Sequence, residues 1–226
     1  MRLVAHPSFV RRKALRYGTL TASALLGLLA ASIGAYFRPS LLWVGGMFAC
    51  LALLKEFLSP TLSAVQGYAG EQTVLKQLQT LPDDYVAIAN LVLPGSKRGD
   101  IDIVLLGQMG VLVVEVKAYS GHIRYEGGRW WRVQNNGWKT RLKSVSAQAK
   151  GNGRDLEAFL HSKGYSCRVQ SILVFVGTEQ LETTELKMPV VKVQEIAAYA
   201  AGVPKRVSAE QVEQMAALLS PQTLGG

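Results

Sequence analysis

The stretch that decides the fold is GDIDIVLLGQMGVLVVEVK, residues 99–117. It predicts two β-strands, at 100–106 and 111–118, because both segments are short and rich in β-branched and leucine side chains. The residues between them, 107–110, have the composition of a tight, hairpin-like turn. Both strands are apolar enough to lie at the centre of a sheet.

Three charged side chains interrupt these apolar strands. Because side chains alternate along a strand, Glu115 and Lys117 share one face of the second strand. Pairing through the turn would bring Asp102 of the first strand to the same edge as Glu115. Carboxylates with a backbone carbonyl and waters suit Mg²⁺. The alternative is a structural ion pair of Glu115 with Lys117, but burying three charges is costly unless a metal or a mutual network compensates.

Helices and strands are predicted on both sides of this pair. The predicted helices are 64–81, 144–163, 193–201 and 208–219, and the other predicted strands are 85–93, 169–176, 190–193 and a pair within 121–133. The succession is that of an α/β domain of α+β order.

Two apolar runs precede this domain. Residues 17–37 are 21 residues without a charge, enough to cross a hydrocarbon core of roughly 30 Å at about 1.5 Å per residue. The second run, 41–54, is shorter, but Lys55 can extend its side chain toward the interface and Phe57-Leu58 lengthen the apolar stretch. The expected organisation is a basic cytoplasmic segment at 1–17, a transmembrane helical hairpin at 18–58 and a globular domain at 59–226.

The orientation of the hairpin follows from its flanking charges. Five basic residues precede the first run without an acid among them, and the connecting turn carries only Arg38. The positive-inside rule therefore keeps the amino terminus in the cytoplasm, and two spans return the chain there. We expect a multi-pass protein of the bacterial inner membrane with both termini cytoplasmic. A signal peptide cleaved near Ala31 and a helical pair buried in a soluble fold are the alternatives.

Charge points to a polyanionic partner. The chain of 226 residues has 25 Lys+Arg against 16 Asp+Glu, and seven of the basic residues but only one acid precede residue 59. Within the domain, residues 117–154 hold nine basic residues and one acid. Such a face fits nucleic acid, whereas anionic lipid is the alternative. The candidate nucleic-acid contacts are Arg129, Arg132, Arg141 and Lys143.

Several site classes are excluded within the chain. The two cysteines, Cys50 and Cys167, lie far apart, and the three histidines are scattered. Neither a disulfide framework nor a cysteine-based zinc site can be built from them. No Ser-His-Asp triad and no P-loop is present in the sequence.

An ordered set of motifs runs along the domain: Gly70-Glu71 at a helix, Gly99-Asp100-Ile101-Asp102, the run from Gly110 to Lys117, Ser120-Gly121 and Gln148-Ala149. This set resembles a known family, the nuclease-related domain (NERD), a branch of the PD-(D/E)xK nuclease superfamily. The resemblance covers roughly residues 65–180. Asp100 departs from the pattern, since the family often has Glu there.

The resemblance implies a restriction-endonuclease-like mixed central β-sheet flanked by helices. The roles implied by position are Asp102, Glu115 and the carbonyl of Val116 as metal ligands, Lys117 as the catalytic lysine, Glu71 as an auxiliary acid and Gln148 as a helix residue near the site. The implied activity is Mg²⁺- or Mn²⁺-dependent hydrolysis of phosphodiester bonds in DNA or RNA, with DNA the favoured partner. A catalytically inactive, membrane-tethered module that binds nucleic acid or another partner is the alternative.

Overall fold

The computed structural model describes residues 1–6, 9–96, 98–134, 136–143, 145–183 and 186–224. Two compact units are present, and one of them is Phe9–Tyr68. The other combines Met1–Ser8 with Ala69–Gly226. The globular unit is therefore assembled from both sides of the apolar segment.

The helices and strands follow one another in mixed order. In chain order they are β1 (Arg2–Ala5), α1 (Phe9–Phe37), α2 (Leu41–Leu78), β2 (Val86–Leu91), β3 (Ile101–Gly107), β4 (Gly110–Glu126), β5 (Arg129–Val133), β6 (Lys139–Leu142), α3 (Val145–Ser162), β7 (Val169–Thr183), β8 (Val190–Lys192), a 3₁₀ turn (Val193–Glu195), α4 (Ile196–Gly202), α5 (Ala209–Leu218) and α6 (Pro221–Leu224).

Strand β4 is the centre of a mixed sheet that contains the eight strands of the described residues. Strand β3 pairs antiparallel with the first half of β4, and β5 pairs antiparallel with its second half. Strand β7 runs parallel to β4 along nearly its whole length, so it occupies the opposite edge. The sheet continues through β2 to β1 on one side and through β8 on the other.

Helices cover both faces of this sheet. The last turns of α2 and helix α4 pack on one face, where Leu78, Ile103 and Val114 are fully buried. Helices α3 and α5 pack on the other face, with Val104 and Leu156 in the core there. The result confirms the predicted class, a mixed α/β sheet flanked by helices and preceded by two apolar helices.

Two strands are much longer than predicted. Strand β4 was expected to end at residue 118 and β7 at residue 176, yet they run together to Glu126 and Thr183. The expected break at 118–121 is instead a shift of register between the two strands. A bulge bends a strand without ending its ladder, which explains how the pair passes through Gly121.

Strand β1 was not predicted at all. It pairs parallel with β2, with Val4 opposite Ile88, and the following His6 places Nε2 2.8 Å from the carbonyl oxygen of Leu219. Three of its four residues are exposed, so the segment lacks the alternation of a half-buried strand. Its basic residue Arg2 pairs with Glu213, which joins the amino-terminal segment to helix α5.

The apolar segment forms two helices that are long and apolar enough to cross a membrane, by length and composition. The second was expected as a short span followed by a separate helix from residue 64, but α2 is continuous through Pro60. Proline removes one backbone hydrogen bond, and the Thr61 hydroxyl donates to the Phe57 carbonyl at 2.7 Å close by. The hydroxyls of Thr21 and Thr61 lie 2.9 Å apart and link the two helices.

Candidate active site

Two carboxylates meet where β3 and β4 pair. Ile103 lies opposite Val114, so the preceding residue, Asp102, lies beside Glu115 at the end of the ladder. Asp102 Oδ2 accepts a hydrogen bond from the backbone N–H of Val116 at 2.7 Å, which holds the carboxylate against β4. The side chain of Glu115 is fully buried. The hairpin thus brings together the two acids that were predicted to share an edge.

A lysine and two amides complete the group. Lys117 Nζ lies 2.7 Å from Glu115 Oε1 and donates a hydrogen bond to Gln148 Oε1 at 3.0 Å. Asn152 Nδ2 donates to the other oxygen of Glu115 at 3.1 Å. Gln148 and Asn152 are four residues apart on α3, hence on one helical face. Helix α3 therefore orients both the lysine and the glutamate.

Asn152 is a site residue that the sequence did not single out. It is buried, and its amide satisfies an oxygen of Glu115 that no other described side chain contacts by hydrogen bond. The available signal was its position one helical turn after Gln148. That spacing alone does not distinguish a site residue from an ordinary polar residue on a helix.

Replacing Asn152 by Ala should destabilise the domain. The substitution leaves a buried carboxylate oxygen without its donor, which typically costs about 1–3 kcal/mol. It should also raise the pKa of Glu115 further, because the hydrogen bond from Asn152 acts to lower it. Chemical denaturation of the wild type and the variant measures the loss. Gln214→Ala, at an exposed position on α5, is the control and should change stability by no more than about 0.5 kcal/mol.

The electrostatics of the group favour protonated acids or an added cation. Burial raises the pKa of Asp102 well above its ordinary value, and the neighbouring Glu115 adds to the increase. Burial also raises the pKa of Glu115, although Lys117 partly opposes it. For Lys117, burial acts to lower the pKa, but the attraction of Glu115 and Asp102 outweighs it and the pKa is raised. One ammonium thus faces an excess of carboxylates.

Glu71 is the third acid near this group. It follows Gly70 on α2, where a Cβ at position 70 would lie 3.1 Å from the Cβ of Ala118, so the helix approaches β4 closely. Glu71 is only 5% exposed. Burial and then the charges of Asp100 and Glu115 raise its pKa to about 7. A carboxyl that titrates near neutral pH is unusual on a helix and fits a functional position.

The shifted pKa of Glu71 predicts a pH dependence of stability. Between its ordinary value of 4.5 and about 7, the folded state holds a proton that the unfolded state has released. Stability from this group is therefore full below pH 4.5 and is lost as the pH rises to about 7, by an amount on the order of 3 kcal/mol.

Glu71→Gln should remove this contribution. As the pH rises from 5 to 7, the free energy of unfolding of the variant should increase relative to that of the wild type. Above about pH 7.5 the difference should be constant. Denaturant titrations at several pH values, without divalent cations, measure the difference. A difference that does not change across this range would mean that Glu71 is ionised throughout.

The oxygen donors of this group are of the kind that Mg²⁺ binds. Among the described residues, no group of three or more His, Cys, Asp or Glu side chains is arranged to hold a metal ion. The predicted ligands are instead two carboxylates, Asp102 and Glu115, and the carbonyl of Val116. Mg²⁺ takes one or two protein carboxylates and keeps several waters, so this oxygen set and its excess negative charge fit the ion.

A basic side chain borders the same face of α3. Arg98 Nε lies 2.9 Å from Asp155 Oδ2. Its guanidinium rests over Gly151, where a Cβ would lie 2.8 Å from it and would displace the arginine side chain. Because Asp155 lies one turn after Asn152, Arg98 is held along the helical face that carries the site.

The four predicted nucleic-acid contacts are all exposed, but the structure does not gather them in one place. Arg129 and Arg141 line a concavity of about 340 Å³ together with Lys150 of α3. Arg132 instead donates to Ser120 Oγ at 2.7 Å. Lys143 follows the end of β6. Of the four, Arg129 and Arg141 are therefore the two that could together contact a phosphate group.

A comparison with known protein families matches the part of the chain that contains these residues. Residues 66–176 match the family model of the nuclease-related domain, NERD. The match begins just before Glu71 and includes the carboxylates, the lysine and the amides of the site. No curated protein and no solved structure matches the chain. A nuclease-related domain is therefore found at residues 66–176, and the chain joins this domain to two apolar helices.

Proposed function

We propose that this chain is a membrane-anchored, metal-dependent nuclease that hydrolyses phosphodiester bonds, with DNA as the preferred substrate and RNA as the second possibility. The observation that carries the proposal is the convergence of Asp102, Glu115 and Lys117 on adjacent strands of a nuclease-related domain. Structural ion pairs seldom include a second buried acid beside an already paired one, because like charges in a buried site are costly.

Asp102, Glu115 and the carbonyl of Val116 are the proposed ligands of Mg²⁺ or Mn²⁺. A cation bound there would supply positive charge for a phosphate oxygen and a water of lowered pKa. The carboxylates need no large movement to act as ligands, because the Val116 N–H fixes Asp102 and Asn152 fixes Glu115. Preorganised ligands avoid reorganisation during the reaction.

Lys117 is the proposed catalytic lysine. Its raised pKa keeps the ammonium charged at neutral pH, so it offers positive charge to the phosphate and a donor to the attacking water. Gln148 accepts from the same nitrogen and acts as a positioning residue. A cation held by Glu115 would compete with Lys117 for that carboxylate and would leave the ammonium available to a substrate.

Glu71 is proposed to exchange a proton during the reaction. A pKa of about 7 lets this carboxyl both hold and release a proton near neutral pH. The family resemblance implies an auxiliary role for Glu71. That role could be to accept a proton from the attacking water or to donate one to the leaving oxygen.

Arg129 and Arg141 are the proposed phosphate contacts. Changing both to Ala should weaken binding of unrelated sequences equally and flatten the slope of log K against log salt by about two units for duplex DNA. Electrophoretic mobility or anisotropy titrations at several salt concentrations measure the slope. Lys163→Ala with Lys205→Ala changes the net charge equally at exposed positions elsewhere and should leave the slope unchanged. Equal slopes for all three proteins would assign Arg129 and Arg141 to lipid or solvent.

Membrane anchoring by α1 and α2 is supported by their exposed apolar surface. Leu41 and Leu42 are 90% and 86% exposed, and Phe37 and Phe48 are also largely exposed. Side chains of this kind are unfavourable in water and favourable in lipid. In a membrane-anchored chain, the pairing of β1 with β2 requires the residues on either side of the apolar segment to be on the same side of the membrane. This supports an even number of crossings, and the proposed location is the bacterial inner membrane.

Cleavage by the full chain tests the function. A fragment that begins at residue 59 is unsuitable, since it lacks β1 and leaves the edge of β2 unpaired. Purified full-length protein in neutral detergent should cut DNA with Mg²⁺ or Mn²⁺ and not with chelator, and Asp102→Asn should be inactive. Binding of nucleic acid without cleavage under either metal would contradict hydrolysis and leave the inactive binding module as the function.

A further inference from the structure

A second concave site lies at the opposite ends of the central strands. A cavity of about 530 Å³ opens between α3, the first residues of β4 and β7, the segment before β8 and the connection from α4 to α5. Five basic side chains line it: Lys150, Arg154, Arg168, Lys187 and Arg206. They come from four different parts of the chain and converge only in the folded domain.

These cations have almost no compensating charge. Within the described part of the chain, none of the five makes an ion pair. The cavity has one acid in its lining, Glu157, whose Oε2 already accepts a hydrogen bond from the Val169 N–H at 3.2 Å. Like charges brought together raise the free energy of the empty site, and a bound anion relieves the repulsion.

The floor of the cavity lies where α3 packs closely on β7. Gly153 of α3 faces Ser171 of β7, and any Cβ at position 153 would collide with the Ser171 hydroxyl. Val111, Met109 and Met188 supply apolar surface beside that hydroxyl. A charged rim above a partly apolar floor suits a ligand that has both an anionic and an apolar part.

Helix α3 separates this cavity from the active site. Gln148 and Asn152 face Glu115 and Lys117, whereas Gly153, Arg154 and Glu157 line the cavity. We infer that the cavity is a second binding site of the domain, for a small ligand with several phosphate groups, of the nucleoside polyphosphate class. The inference does not depend on whether the active site cleaves nucleic acid.

A small ligand fits better than a nucleic-acid strand. Binding pockets for small molecules enclose roughly 300–1,000 Å³, and this cavity lies in that range. A strand binds along an open groove with its charges spaced by the backbone and its bases stacked on aromatic rings. The lining contains no aromatic residue, and its five cations surround one concavity, where a compact polyphosphate meets them together.

Calorimetric titration of the full-length protein in neutral detergent tests the inference. The probes are ATP and inorganic tripolyphosphate, with adenosine as the uncharged comparison. Arg154→Ala with Arg168→Ala should weaken binding of both phosphates by at least about tenfold, because each arginine offers charge-assisted hydrogen bonds. Lys76→Ala with Lys163→Ala carries the same change of charge at exposed positions outside the cavity and should leave the binding of both phosphates unaltered. Lys150 is kept, since it also lines the Arg129 concavity.

Each outcome decides the matter. Binding of ATP and tripolyphosphate that is lost only in the Arg154 and Arg168 variant supports the site, and tighter binding of ATP assigns the apolar floor to the base. Equal losses of phosphate binding in both double variants would mean that the binding depends only on the net charge of the protein. No binding of either phosphate to the wild type would overturn the proposal, as would a single-stranded oligonucleotide that alone binds in an Arg154- and Arg168-dependent way.

Discussion

Asp102→Asn is expected to abolish metal-dependent cleavage while leaving the domain folded. The amide keeps the shape of the side chain and can still accept from the Val116 N–H, but it removes one charge from the proposed ligand set. Loss of a main electrostatic contribution costs at least about 100–1,000-fold in rate. Because burial and Glu115 raise the pKa of Asp102, the neutral variant without metal should be as stable as the wild type or more stable.

Glu115→Gln should be equally inactive but less stable than Asp102→Asn. Glu115 is fully buried and is the partner of both Lys117 and Asn152. Its removal leaves a largely buried ammonium with Asp102 as the remaining neighbouring charge. Breaking a buried pair from one side typically costs about 3–5 kcal/mol, although Asp102 should compensate part of it.

Lys117→Ala separates catalysis from metal binding. This variant should lose cleavage but keep the metal, because the proposed work of Lys117 is on the water and the phosphate. Without metal, Glu115 lacks its counter-charge and the domain should be destabilised. Saturating Mg²⁺ or Mn²⁺ should therefore raise the melting temperature of Lys117→Ala more than that of the wild type, and should not raise that of Asp102→Asn.

Calorimetric metal titrations and thermal melts of the four proteins decide between the two interpretations of the group. The expected pattern is metal binding by the wild type and Lys117→Ala alone. A wild type that binds no metal with nucleic acid present, or an Asp102→Asn variant that unfolds by itself, would mean that the three charges are a structural network.

The second prediction with a large expected effect concerns the membrane topology of the chain. Alkaline phosphatase fused after Leu224 should be inactive in a bacterial host, whereas the same enzyme inserted between α1 and α2, after Arg38, should be active. The reason is that phosphatase folds only outside the cytoplasm, and the basic residues before α1 favour a cytoplasmic amino terminus. Fusions at both sites to a cytoplasmic reporter are the control and should give the opposite pattern.

Strand β1 makes this prediction stricter. Cleavage of a signal peptide near Ala31 would remove β1 from the sheet, so the mature protein should retain its amino-terminal segment. Mass spectrometry of the purified protein checks the intact length. Periplasmic activity of the Leu224 fusion, or a mature chain that begins near residue 32, would exclude the hairpin and the cytoplasmic nuclease together.

Several helices and strands of the domain could be predicted from local patterns in the sequence. Alternation in residues 99–117 predicted β3, the start of β4 and the shared edge of Asp102 and Glu115. Apolar runs at 17–37 and 41–58 predicted the apolar parts of α1 and α2, since length and hydropathy are properties of a continuous stretch. Helix α3 was predicted within one residue at each end, because its period and flanking turns are local signals.

Contacts between segments that are distant in the sequence could not be predicted from it. Strand β1 has no apolar alternation, because its role is to add an edge to β2, and nothing in residues 2–5 identifies that partner. The polar strand β6 was missed for the same reason, since its order comes from pairing with β5. The length of β4 and β7 also depends on their mutual ladder, which lets both strands pass the bulge at Gly121.

The sequence by itself determined the class of fold, the two apolar helices, the family resemblance and the acids and lysine of the candidate site, because each depends on residue type and short spacing. Only the tertiary structure decided that Asn152 holds Glu115, that Glu71 is buried among like charges, and that Arg129 and Arg141 lie together without Arg132. Only it gathered Arg154, Arg168 and Arg206 around one cavity. These features depend on which residues meet after the chain has folded, and burial then sets the strength of their charges.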